Sequence, residues 1–92
     1  MTRDQQVTAI AEAFAEVLRQ WLTREELETV RSRNACQSDP GICHSHDFCD
    51  ANMAMLPAFE QVTGHEPDSD SEADATLWND AWDLTKRLYL TA

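Results

Sequence analysis

Between Arg3 and Leu22 the apolar residues Val7, Ile10, Phe14, Val17, Leu18, Trp21 and Leu22 recur at steps of three and four, with Glu12, Glu16, Arg19 and Gln20 between them. That period lays one apolar stripe along an α-helix of about 30 Å, at about 1.5 Å of rise per residue. A stripe of that length has to be buried, and a chain of 92 residues has little with which to bury it. Domains of this size remove roughly 60–70% of their unfolded surface from water, so the rest of the chain must close directly on this helix. Only two Gly and three Pro are present, and no alternating strand pattern of useful length occurs. The expectation is one all-α domain over residues 1–92, a compact bundle of about four helices.

Thr23 and Glu26 form a T-x-x-E capping box, flanked by Leu22 and Leu27 as a hydrophobic staple. A short second helix should therefore run from about Arg24 to Arg33 and stop near Asn34. Residues 35–45 read as loop, with turn chemistry at Ser38-Asp39-Pro40-Gly41. Ser45 or Asp47 would cap a third helix reaching about Thr63, with Phe48, Met55, Leu56, Phe59 and Val62 inward. Pro57 should kink that helix or end its first part at Leu56, and Gly64 suits its C′ position. Ser69 and Glu72 read as a second capping box. The fourth helix would span about Glu72 to Leu90, burying Leu77, Trp78, Ala81, Trp82, Leu84, Leu88 and Tyr89, with Asp83 and Arg87 paired at i,i+4.

All three cysteines and two of the three histidines fall between Cys36 and Cys49. Thiolate and imidazole are zinc ligands, and Cys36, Cys43, His46 and Cys49 would supply three sulfurs and one nitrogen to a closed tetrahedral site. His44 could replace His46, and Asp47, Asp50 and Asn52 could support the imidazoles. Such a site would be structural, since four protein ligands leave no position for water. The spacing C-x6-C-x2-H-x2-C matches no familiar zinc finger, and the competing reading is of small thiols packed as apolar groups.

The charge balance is uneven as well as large. The formal net charge is −10, and from Asn34 to Thr85 eleven Asp and Glu occur without one Lys or Arg. Phosphate backbones and anionic membranes are poor partners for such a chain, whereas a basic protein surface is a good one. Glu66, Asp68, Asp70, Glu72 and Asp74 form the densest acidic edge, continued by Asp80 and Asp83, and are the candidate partner-binding residues. A solvated helix start would carry a similar composition. No apolar leader or membrane-length run appears, and an odd cysteine count fits a reducing cytoplasm. No catalytic residue is assigned. The His46-Asp47 doublet resembles the core of HD-type phosphohydrolases in two residues alone, and Cys43, His44 and Cys49 come with no oxyanion-hole motif.

The stretch CHSHDFCDANMAMLPAF, with WLTREELETVRSRNA upstream and TLWNDAWDLTK downstream, resembles short uncharacterised proteins of phages, prophages and other mobile elements. The resemblance spans most of the chain and brings no assigned chemistry. It implies a small accessory protein acting on a bacterial host or its defences. Together with the charge, this gives a non-enzymatic interaction module, an anti-CRISPR-like inhibitor or modulator that meets the basic surface of a larger nucleic-acid-binding complex. The alternative is a small structural zinc module whose Cys/His segment is the recognition element. A homodimer sharing an apolar face is compatible with either.

The zinc reading has a direct test. It predicts about one zinc per purified chain by elemental analysis and a loss of folding with chelator. Identical melting of a metal-free preparation with and without chelator removes it.

Overall fold

Alanine at two positions of the first helix decides how closely the others approach it. In the computed structural model, which describes the backbone of residues 1–32, 46–68 and 70–89 and the side chains of 1–28, 53–68 and 70–87, helix α1 (Arg3–Trp21) buries Ile10, Ala11, Phe14, Ala15 and Leu18. Ala11 and Ala15 are fully inaccessible. They widen the apolar stripe to two adjoining faces, one residue around the helix from Ile10 and Phe14. Helix α1 therefore packs on every other described element: α2 (Arg24–Ser32), α3 (His46–Thr63), α4 (Glu72–Leu84) and the π-helical turn Thr85–Tyr89 that ends α4. Among the described residues there is no strand. The Cα radius of gyration is 12.3 Å, matching the roughly 12 Å that folded-chain scaling gives for this length.

Local chemistry sets the helix ends. Thr2 caps α1 through a capping box with Gln5, the Thr2 side chain accepting from Gln5 N–H at 3.2 Å and Gln5 Oε1 accepting from Thr2 N–H at 2.8 Å. The expected Thr23–Glu26 box is formed, at 3.2 Å from Glu26 N–H to Thr23 Oγ1 and 2.9 Å from Thr23 N–H to Glu26 Oε1. Leu22 is buried and Leu27 packs against the core, as a staple requires. Helix α3 closes on Gly64, whose φ of +85° is open to glycine at no steric cost and whose N–H reaches Glu60 O at 2.8 Å.

Helix α3 does not stop at Leu56; it continues through Pro57 to Thr63. Pro57 cannot donate to the carbonyl of Met53, but both residues are exposed, so water can serve that carbonyl.

The core joins Ile10, Phe14, Leu18 and Leu22 of the first segment to Met55, Ala58 and Phe59 of α3 and Leu77, Ala81 and Trp82 of α4. Trp78 is half-buried and lies between helices, its ring 4.7 Å from Phe14 and 5.6 Å from Phe59 by centroids. Trp21 departs from expectation: it is 45% exposed at the last residue of α1, because the chain turns away there into the Thr23 cap. Thr85 is fully buried, and its hydroxyl lies 2.7 Å from Ala81 O and 3.2 Å from Ala11 O, bridging α4 to α1 where Ala11 allows the backbones to approach.

Phe14→Ala is expected to cost about 3–5 kcal/mol, a large part of the roughly 5–14 kcal/mol available to a domain of this size. Trp21→Ala should cost about 0.5 kcal/mol or less. Urea unfolding of the two variants checks the assignment of these aromatics.

Candidate functional site

Gly64 turns the chain back along the end of α3, and the segment from His65 to Ser71 then leads into α4. Its first fastening is Thr63, whose hydroxyl lies 3.0 Å from Phe59 O and 2.9 Å from His65 O and accepts from His65 N–H at 3.4 Å. The second is Asp74. Its carboxylate accepts from the Asp68 N–H at 3.0 Å and meets His65 Nε2 at 2.9 and 3.1 Å. An ionised carboxylate can only accept, so the proton of that contact is on Nε2. The His65 ring also stands edge-on to Phe59, 6.1 Å between centroids, which joins the loop to the aromatic core.

The cap of α4 is Ser71. Asp74 N–H donates to Ser71 Oγ at 3.3 Å, so the cap lies two residues after the expected Ser69. The register matters chemically. With Ser71 as cap, the N3 residue is Asp74, and its shorter side chain closes on the loop rather than back on the cap as Glu72 would in a capping box. Asp68 turns the chain before the cap, its carboxylate accepting from Asp70 N–H at 2.9 Å and its carbonyl from Ser71 N–H at 3.0 Å.

The expected partner-binding carboxylates thus separate into groups. Asp74 is only 8% exposed and points inward as the loop's fastening, a correction to its place on the outer edge. Its bond from the Asp68 N–H holds the carboxyl below the ordinary aspartate pKa; burial opposes this, and the His65 contact adds to the lowering. Asp80 is half-buried and paired with Arg3 at 2.7 Å. Asp83 is exposed and pairs with Lys86 at 3.4 Å, not with Arg87. Lys86 is 5% exposed, and its amine stands 5.7 Å from the centre of the Trp82 ring. The π-helical turn changes the angular step after Leu84 and carries Lys86 to the inner side. Glu66, Asp68, Asp70 and Glu72 are exposed, and no ion pair falls on them among the described residues.

Sequence reasoning missed the His65–Asp74 contact. Its signal was the spacing of nine residues across a Gly-to-Ser loop, which is too loose to be specific.

Cys36, Cys43 and His44, the heart of the expected zinc site, lie outside the described residues. His46 and Cys49 belong to the first turn of α3, with side chains outside the described set. Among the described residues no group of three His, Cys, Asp or Glu is placed to hold a metal ion. No helix among them is long and apolar enough to cross a membrane. In comparisons with protein-family models, curated proteins and solved structures, nothing matches the chain.

A carboxyl with a lowered folded-state pKa binds its proton less readily than in the unfolded chain. Its stabilisation is therefore complete above the unfolded pKa, about 3.9, and is lost as pH falls through the lower folded value. Asp74→Asn is expected to flatten the fall in stability over that acid range and to speed hydrogen exchange at the Asp68 amide. Unfolding curves taken across the range, with exchange read by NMR, check both.

Proposed function

We propose that the chain is a non-enzymatic binding module whose acidic loop edge docks on a basic protein surface. One observation carries the reading: Glu66, Asp68 and Asp70 are exposed on a loop fastened at both ends and Glu72 at the start of α4, with Asp74 turned inward to do the fastening. A loop tied in this way offers its charges with little ordering cost on binding. The neighbouring acids Asp80 and Asp83 have bases from this chain beside them, whereas no ion pair falls on Glu66, Asp68, Asp70 or Glu72 among the described residues.

A basic surface that takes such an edge is one that also takes phosphate, since both are arrays of negative oxygens. The module would then act by occupying a nucleic-acid-binding surface of a larger host complex, as an inhibitor or modulator of the anti-CRISPR kind. The phage-like sequence resemblance and the net charge of −10 support the same setting.

A Lys/Arg-rich peptide is a suitable probe. Its binding should weaken steeply between about 0.05 and 0.5 M salt as screening shortens. Reversing Glu66, Asp70 and Glu72 together to Lys should cost about tenfold in affinity at low salt, since each exposed pair is worth a few tenths of a kcal/mol to about 1. Affinity indifferent to salt and to the triple reversal would remove the reading.

A further inference from the structure

The outward face of α3 carries Met53, Leu56, Pro57 and Glu60 at steps of three, one and three, which is one side of a helix. Gly64 brings the loop back beside that face, so Glu66 and Pro67 stand as a second wall. Between them lies an open groove of about 280 Å³. Met53 is 64% exposed, and Pro57 is exposed beside it. The groove is below the usual range of small-molecule pockets, about 300–1,000 Å³, and is open on one side. It is suited to a single large side chain.

Its composition says what kind of chain would bring that side chain. The floor is Met, Leu and Pro, which favour apolar contact, and Met adapts to different shapes. The rim is Glu60 and Glu66, both exposed, and it runs on into Asp68 and Asp70 of the acidic edge. An anionic ligand would meet these carboxylates unfavourably, and a second copy of this chain would bring another −10 of charge against them. An apolar residue flanked by Lys or Arg satisfies floor and rim together.

We propose that this groove is the anchor pocket of the interface: it receives one apolar side chain from a basic amphipathic segment of a protein partner. The assignment rests on the acidic-edge reading above and adds the element that charge alone cannot supply. Electrostatic contacts fade with salt, whereas a side chain seated on Met53, Leu56 and Pro67 stays bound. The Asp74 fastening gains a second role, because the loop it holds is the outer wall of the groove.

The test compares two synthetic peptides of equal positive charge, one with Leu spaced along a helical face among the Lys residues and one with Ser at those places. The protein is the full chain and its Met53→Gln variant, which changes an exposed residue and should melt with the parent. At low salt both peptides bind. At about 0.5 M salt the Leu peptide should remain bound while the Ser peptide is lost. Met53→Gln should weaken the Leu peptide by about tenfold and leave the Ser peptide unchanged. Equal loss of both peptides with salt, with Met53→Gln neutral, overturns the groove and leaves the acidic edge standing. Failure of both peptides to bind at low salt overturns the edge and the groove together. A chain that dimerises at high salt through a contact that Met53→Gln abolishes gives the groove to a second copy and overturns the basic occupant.

Discussion

Phe14 is fully buried in the middle of α1, with Trp78 of α4 at 4.7 Å, and Trp78 in turn lies 5.6 Å from Phe59 of α3. Three helices therefore meet at three rings, each offset from the next as aromatic quadrupoles prefer. Among the described residues the buried apolar side chains form this one core, so in a domain this small its loss would release all three helices. The ring series does not stop inside. Phe59 also meets the edge of His65, and His65 reaches Asp74, so the packing of the interior passes into the geometry of an exposed loop. The acidic edge is an extension of the core in this sense: its position is set by groups that are themselves held by buried aromatics.

The charge distribution follows a different constraint. Arg3, Arg19, Arg24, Arg31 and Arg33 precede the acidic stretch, and Lys86 and Arg87 follow it. Acids on α3, on the loop and on α4 can be compensated only by residues that the fold carries to them. It brings Arg3 across from the start of α1 to Asp80, and Lys86 back along α4 to Asp83. The loop carboxylates lie beyond these bases, and among the described residues the basic side chain nearest them is His65, which pairs with Asp74 of α4. A self-repelling edge of this kind costs some stability in the isolated domain, and it gains complementarity toward a cationic surface.

Much of the helix architecture was legible in the sequence because it rests on short-range chemistry. The Thr23–Glu26 box, the φ-permissive Gly64 and the stripe through Ile10, Phe14 and Leu18 each depend on residues a few positions apart. What escaped is what tertiary contact decides. Ala11 and Ala15 are core residues by closeness and not by size, so a search for large apolar side chains passes over them. Trp21 looks like core by size and is half-exposed because the chain turns away beside it. The spacing of Ser69 to Glu72 points to Ser69 as the cap, whereas the cap is Ser71, which places Asp74 where Asp68 and His65 can reach it. Lys86 falls near the end of the fourth helix in sequence, and the π-helical turn brings it inward over Trp82. The acidic edge was visible as composition, but which of its members face outward depends on these longer contacts.

That division bears on how the edge can be specific. Loose carboxylates on a mobile segment attract any cation and discriminate poorly, since exposed pairs contribute little each and pay for being ordered. Here the ordering is done before a partner arrives, by Thr63 at one end of the loop and by Asp74 and Ser71 at the other. Fixed charges around a fixed apolar groove would impose on the proposed partner a spacing between its cations and its anchor side chain. A partner with the right charge and the wrong spacing would leave the apolar lining of Met53, Leu56, Pro57 and Pro67 facing water or bury a cation against it, and either outcome forfeits affinity. In the module proposed here selectivity would therefore come from the apolar groove, while the carboxylates would govern the rate of encounter and the response to salt.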